Sequence, residues 1–142
     1  MPANTIKVLI ADDHPFLRAG ICNLLSKSPH IVIVGEASNG IEAIELMEKL
    51  HPDVLLLDVQ MPVMDGIQVL EELNQKGNKT PILMLSAFDN QDFVNETISR
   101  GAWGYYLKED APNVIIEAIH QAAIGMGKGV SPVTTRKGIV KY

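Results

Sequence analysis

The residues of this chain best equipped for chemistry are acidic, and they stand at the ends of apolar runs. Asp12 and Asp13 follow Lys7-Val8-Leu9-Ile10-Ala11, and Asp58 follows Val54-Leu55-Leu56-Leu57. Two more polar groups hold equivalent places: Ser86 after Pro81-Ile82-Leu83-Met84-Leu85, and Lys108 after Tyr105-Tyr106-Leu107. Carboxylates brought within a few ångströms of one another raise each other's pKa unless a cation intervenes. Mg²⁺ is the simplest such cation, since it takes oxygen ligands at about 2.0–2.1 Å and combines one or two carboxylates with waters and phosphate oxygens. An ionised aspartate beside it can attack phosphorus and form an acyl phosphate, while the metal and a lysine ammonium neutralise the equatorial oxygens. Asp58, Mg²⁺ and Lys108 fit those roles, provided that the strands ending at Asp12 and Asp58 are neighbours.

The elements that must position these groups can be read from the apolar pattern. Val54–Leu57 is bounded by His51-Pro52-Asp53 before it and by Pro62 and Gly66 after it, the pattern of a short strand buried on both faces of a parallel sheet. Lys7–Ala11, Ile31–Val34, Pro81–Leu85 and Tyr105–Leu107 read as four further strands. Helical spacing fills the intervals. Pro15 opens the first helix, in which Phe16, Leu17, Ile21, Leu24 and Leu25 recur before Ser28-Pro29 closes it. Ile41, Ile44, Leu46, Met47 and Leu50 mark the second helix, and the third runs from Gly66 to Gln75. The fourth, Gln91 to Arg100, has only Phe93, Val94 and Ile98 as larger apolar residues, so the weakest amphipath is expected to be the most mobile helix. The fifth spans Pro112 to Ile124, and Gly125, Gly127, Gly129 and Pro132 then interrupt regular structure.

Strands alternating with helices predict a three-layer α/β domain around a parallel sheet. Such sheets bind ligands beyond the carboxyl ends of their strands. Asp12, Asp13, Asp58, Ser86 and Lys108 all fall at those ends, and this shared placement is the strongest sign of a site.

Composition narrows the remaining classes. A length of 142 residues with 46% hydrophobic content suits about one globular domain. No apolar run reaches the ~18 residues of a spanning helix, and the N-terminus lacks a secretory pattern, so a cytosolic, non-membrane protein is expected. Cys22 is the single cysteine, which excludes an intramolecular disulfide and a cysteine-cluster zinc site and reads as a buried, inert thiol. The net charge of −5 hides a division: residues 1–126 carry 17 acids and 8 Lys/Arg, whereas residues 127–142 carry four bases and no acid. The acidic body argues against nonspecific nucleic-acid binding by the domain, and the basic stretch reads as a solvated linker or flexible tail. His14, His30, His51 and His120 show no metal-ligand spacing and read as surface or loop residues.

Four pieces occur in order at the strand ends: Ala11-Asp12-Asp13-His14, then Leu57-Asp58-Val59-Gln60-Met61-Pro62-Val63-Met64-Asp65-Gly66, then Ser86-Ala87, then Gly101-Ala102-Trp103-Gly104-Tyr105-Tyr106-Leu107-Lys108. With them the chain resembles the receiver domain of bacterial two-component response regulators, most closely the NarL/LuxR-type subfamily. The resemblance implies a flavodoxin-like fold, a five-stranded parallel sheet in order 2-1-3-4-5 with helices on both faces. It also implies that Asp58 is the phosphate acceptor, that Asp13 binds Mg²⁺ directly and Asp12 through water, and that the Gln60 backbone carbonyl is another ligand. Ser86 would hydrogen-bond the phosphoryl group and Lys108 would pair with it. Tyr105 matches an aromatic switch that turns inward as Ser86 is drawn toward the phosphate, with helix four, strand five and helix five as the readout face.

The implied partners are a histidine kinase or phosphotransfer protein, and a second copy of the chain on phosphorylation. DNA would be reached only through an output domain that these residues lack, so the expected organisation is a receiver over residues 1–126 and a tail over 127–142. The chain would accept and slowly lose a phosphoryl group rather than act as a multiple-turnover enzyme. One departure is Glu109 after Lys108, where many receivers carry a cis proline; no cis bond is expected here. Competing readings are a pseudo-receiver that binds partners without phosphate, an aspartyl-phosphate hydrolase, and a flavin-binding protein. The hydrolase should have a second Asp where Gln60 stands, and the flavin protein a Ser/Thr-rich loop after strand one. Gln60 and Phe88 flank the site, and Trp103 is either simply exposed or part of a dimer face.

Overall fold

The apolar runs become strands β1 (Ile6–Ala11), β2 (Ile31–Ala37), β3 (Val54–Leu57), β4 (Ile82–Ser86) and β5 (Gly104–Leu107). Between and after them lie helices α1 (Pro15–Ser26), α2 (Gly40–Leu50), α3 (Gly66–Gln75), α4 (Gln91–Ser99) and α5 (Pro112–Ala123). The structure is a computed structural model that describes residues 5–110 and 112–125, with the backbone alone of 133–135 and 138–140. The five strands pair in parallel in the order β2-β1-β3-β4-β5. Val8–Ala11 pairs in register with Val54–Leu57, so the strands ending at Asp12 and Asp58 are neighbours.

Strand side chains alternate between two apolar layers, as the period of a pleated strand requires. Leu9, Leu55, Leu57, Met84 and Tyr105 face one side, where Met47 of α2, Leu70 of α3 and Val94 of α4 pack on them. Val8, Ile10, Leu56, Leu83 and Tyr106 face the other, against Ile21 and Leu25 of α1 and Ile115 and Ile119 of α5. Trp103 is half-buried against this second layer. Cys22 is partly buried there as well, and burial pushes its thiol pKa up, which keeps it protonated and unreactive.

Most element ends lie within a residue of the sequence pattern, and two readings differ by more. β2 runs three residues past Val34, through Gly35 to Ala37. The register shifts between Val8 and Leu9, so that Val34 is an extra residue in the ladder. Gly35 fits because the chain passes close to α2: a Cβ there would sit 2.7 Å from Leu50 Cδ1. The other difference concerns residues 127–142, expected to lack regular structure. Val133–Thr135 and Gly138–Val140 pair antiparallel as strands β6 and β7; the other residues of that tail lie outside those described.

Helix starts follow local chemistry. The Asn39 side chain accepts from Glu42 N, Asp65 and Gln68 form a reciprocal capping box, and Asn90 accepts from Phe93 N. α4 has only Val94 and Thr97 fully buried. Thr97 escapes a search for apolar periodicity because its hydroxyl is polar, yet that group donates to Phe93 O at 2.8 Å within its own helix. No peptide bond among the described residues is cis, Lys108–Glu109 included, and no helix there is long and apolar enough to cross a membrane.

Candidate functional site

The ladder runs one step past the strands and fixes the site residues by their backbones. Asp12 N donates to Ala37 O at 2.9 Å, Asp58 N to Ala11 O at 2.9 Å, and Lys108 N to Ser86 O at 2.8 Å. The side chains therefore emerge together at the carboxyl edge of the sheet. Lys108 Nζ lies 2.7 Å from Asp12 Oδ2 and 3.1 Å from Asp58 Oδ2, with all three side chains nearly buried. None of the strand-end groups serves as a helix cap. Asp65 and Asn90 cap α3 and α4, and His14 precedes α1 without a side-chain cap bond.

One ammonium shared between two buried carboxylates does not neutralise both. Asp58 is 5% exposed, and its pKa is pushed up to about 6. Burial is the main cause; the Lys108 ammonium opposes it and the Asp12 carboxylate reinforces it. Asp58 Oδ1 receives a long hydrogen bond, 3.4 Å, from Gln60 N.

Asp13 adds the more telling observation: its Oδ1 is buried and receives no hydrogen bond. His14 Nδ1 lies 3.0 Å away but outside hydrogen-bonding geometry, an ion pair only when the imidazole is protonated. A buried carboxylate oxygen with no donor is costly unless a cation satisfies it. Asp12, Asp13, His14 and Asp58 each offer a donor atom, all within 4.8 Å of one another. Three carboxylates form a hard oxygen set of the kind Mg²⁺ takes, so the residues present fit that ion. Sequence spacing alone left His14 out of this cluster. The fold brings it in because its backbone N donates to Asp12 Oδ1 at 2.9 Å, which turns the chain back on the acids.

Ser86 and Tyr105 meet at one peptide segment. Phe88 N donates to Ser86 Oγ at 3.0 Å, and the Tyr105 hydroxyl donates to Phe88 O at 2.7 Å. Tyr105 is completely buried, so its ring already lies inward. Burial pushes the phenol pKa up and keeps it a donor. The Phe88 ring is itself about half exposed, at 49%, and stacks edge-on against Phe93.

The loop after β3 is held by two close approaches. A Cβ on Gly66 would collide with the carbonyl of Asp58, and one on Gly40 with the carbonyl of Met64. Gly66 N donates to Val59 O at 2.8 Å, which closes the turn that presents Asp58. Within that loop exposed Val63 has φ of 71°, a left-handed conformation that a β-branched residue adopts only under strain.

Comparison with known proteins agrees with this geometry. The family model described as response regulator receiver domain matches residues 8–120. The nitrate/nitrite response regulator protein NarL of Escherichia coli (strain K12) is 43% identical over 129 residues, which cover 89% of this chain and 60% of that protein. The chain thus spans less than two thirds of the length of that relative. Among solved structures, a LuxR-family two-component response regulator from Aurantimonas sp. SI85-9A1 superimposes with a TM-score of 0.84 at 26% identity, covering 94% of this chain and 91% of that one. The isolated REC domain of RcsB from Salmonella enterica serovar Typhimurium, solved in the presence of phosphomimetic BeF3−, gives a TM-score of 0.78 at 28% identity, covering 87% and 91%.

Proposed function

This chain belongs to the response regulator receiver domain family, and from that premise we propose that it is a phosphorylation-driven switch whose acceptor is Asp58. The observation that carries the proposal is the buried Asp12–Lys108–Asp58 arrangement beside the unsatisfied Asp13 oxygen. An Asp58 carboxylate oxygen attacks the phosphorus of a phosphohistidine or small acyl phosphate. A P–O bond forms to Asp58, the bond to the donor nitrogen or oxygen breaks, and its electron pair leaves with the donor. Mg²⁺ held by Asp13 and Asp58, with Asp12 through water and the Gln60 carbonyl, would supply charge neutralisation on the phosphoryl oxygens.

Lys108, whose ammonium already faces Asp58, pairs with the incoming charge, and the Ser86 hydroxyl donates to a phosphoryl oxygen. A Ser86 that moves toward the phosphate pulls on Phe88 N, and Phe88 O pulls on Tyr105. This chain of bonds would carry the change to α4, β5 and α5, where a second copy or an output domain reads it. The relatives' names, which include a two-component response regulator and a transcriptional regulatory protein, support a place in two-component signalling with transcriptional output, and a histidine kinase donor and a cytoplasmic setting go with that reading. The chain acts as a stoichiometric acceptor.

Intact mass after incubation with acetyl phosphate tests the proposal. One phosphoryl adduct that needs Mg²⁺, and is absent from Asp58→Asn, is expected. No adduct under any condition favours the pseudo-receiver.

A further inference from the structure

Arg18 of α1 takes no part in the chemistry described above, yet its side chain is only 17% exposed and reaches two other elements. Nη1 donates to the carbonyl of Asp12 at 2.6 Å, and Nε donates to Glu36 Oε1 of β2 at 2.9 Å. Asp12 is thereby held at every polar group: N–H by Ala37 O, carbonyl by Arg18, Oδ1 by His14 N and Oδ2 by Lys108 Nζ. Asp13 is different, because its buried Oδ1 receives no hydrogen bond. With His14 Nδ1 at 3.0 Å but outside hydrogen-bonding geometry, the main chain that carries Asp13 takes a larger share in aiming that oxygen. The carbonyl of Asp12 and the N–H of Asp13 belong to one planar unit, so holding the first fixes the plane from which Asp13 departs.

We propose that Arg18 is a positioning residue for the cation site: its bond to the Asp12 carbonyl, braced by Glu36, points the Asp13 carboxylate toward the ion it shares with Asp58. The inference rests on the receiver reading and deepens it. A guanidinium suits the task because its planar fork offers donors in two fixed directions, whereas a lysine ammonium is a point charge on a flexible stem.

The test is Mg²⁺ affinity by calorimetry on the native chain, Arg18→Ala, Arg18→Lys and Glu36→Ala, with thermal melting of each in a chelator. Loss of a partner that orients a metal ligand weakens metal binding by about 10–100-fold, and Arg18→Ala should fall at the lower end, near ~10-fold. Raising Mg²⁺ should restore most of its lost phosphorylation rate with acetyl phosphate. Arg18→Lys should recover less than half of the lost binding free energy, and Glu36→Ala, which removes the brace, should show a smaller loss. Arg18→Ala with native affinity and only a lowered melting temperature overturns the proposal, as does full recovery by Arg18→Lys. Should Arg18→Ala fail to fold, an unchanged affinity in Glu36→Ala overturns it. A native chain that binds no Mg²⁺ and takes no phosphoryl group fails differently, by removing the receiver reading beneath it.

Discussion

Asp58 is buried, acidic and short of positive charge, and its stability consequence follows from linkage. Its pKa rises from an ordinary 3.8 to about 6 on folding, so between those values the folded chain holds more proton than the unfolded chain. Stability from this group is therefore fully present below about pH 3.8 and is lost as pH rises through about 6. In a chelator, Asp58→Asn should be more stable than the native chain by on the order of 1–3 kcal/mol near pH 8, with the gap closing near pH 4. Denaturant melts at the two pH values check it; a constant gap would assign the difference to packing. Val63 carries a second local cost. Val63→Asn, which tolerates a left-handed backbone, should stabilise the fold by about 0.5–1 kcal/mol in the same melts. Asp12, Asp13, Asp58, Ser86 and Lys108 were legible as site candidates because each ends an apolar run. His14 and Arg18 were not, because their partners lie across turns and strands that spacing along one element does not reveal.

The elements carry strain and weakness in different places. The turn from β3 into α3 leaves no room for a methyl group at Gly66, against the Asp58 carbonyl. Gly66→Ala should cost about 1–3 kcal/mol by overpacking and should also slow phosphorylation, because it displaces the acceptor's own backbone. Stability by melting and adduct formation by mass check both halves; lost stability with a native phosphorylation rate would separate the turn from the site. α4 buries only Val94 and Thr97 and relies on its Asn90 cap. Asn90→Ala should cost about 1 kcal/mol. Amide exchange should quicken in α4 before it does in α3, whose capping box is reciprocal. The five strands of the parallel sheet and the five helices were readable because alternating strands and amphipathic helices leave distinct periods. The far end of β2 was hidden: Gly35-Glu36 has the composition of a turn, and only the bulge opposite β1 and the approach of Leu50 keep it extended.

At the scale of the molecule, the parallel sheet gathers residues from distant parts of the chain into one acidic cluster, and the full 142-residue chain bears a net charge of −5. The site should therefore gain from a cation more than any other part of the surface. Free Mg²⁺ at about 100 times its Kd should raise stability by about 2.7 kcal/mol, and Asp13→Asn should abolish the gain. A gain that survives in Asp13→Asn would move the ion elsewhere. Strand adjacency was a condition attached to the sequence pattern, and the observed β1–β3 register meets it. The inward position of Tyr105 could not be read from sequence, since a rotamer depends on the cavity that the Phe88 segment leaves for it.

A phosphoryl group carried by Asp58 itself would leave a covalent signature. An acyl phosphate is reduced by borohydride to the alcohol, so phosphorylated Asp58 becomes homoserine while unmodified carboxylates are untouched. Peptide mapping of the chain after acetyl phosphate, Mg²⁺ and borohydride should find homoserine at position 58 and nowhere else. Homoserine at another aspartate, or none in a chain that mass shows to be phosphorylated, would contradict the assignment.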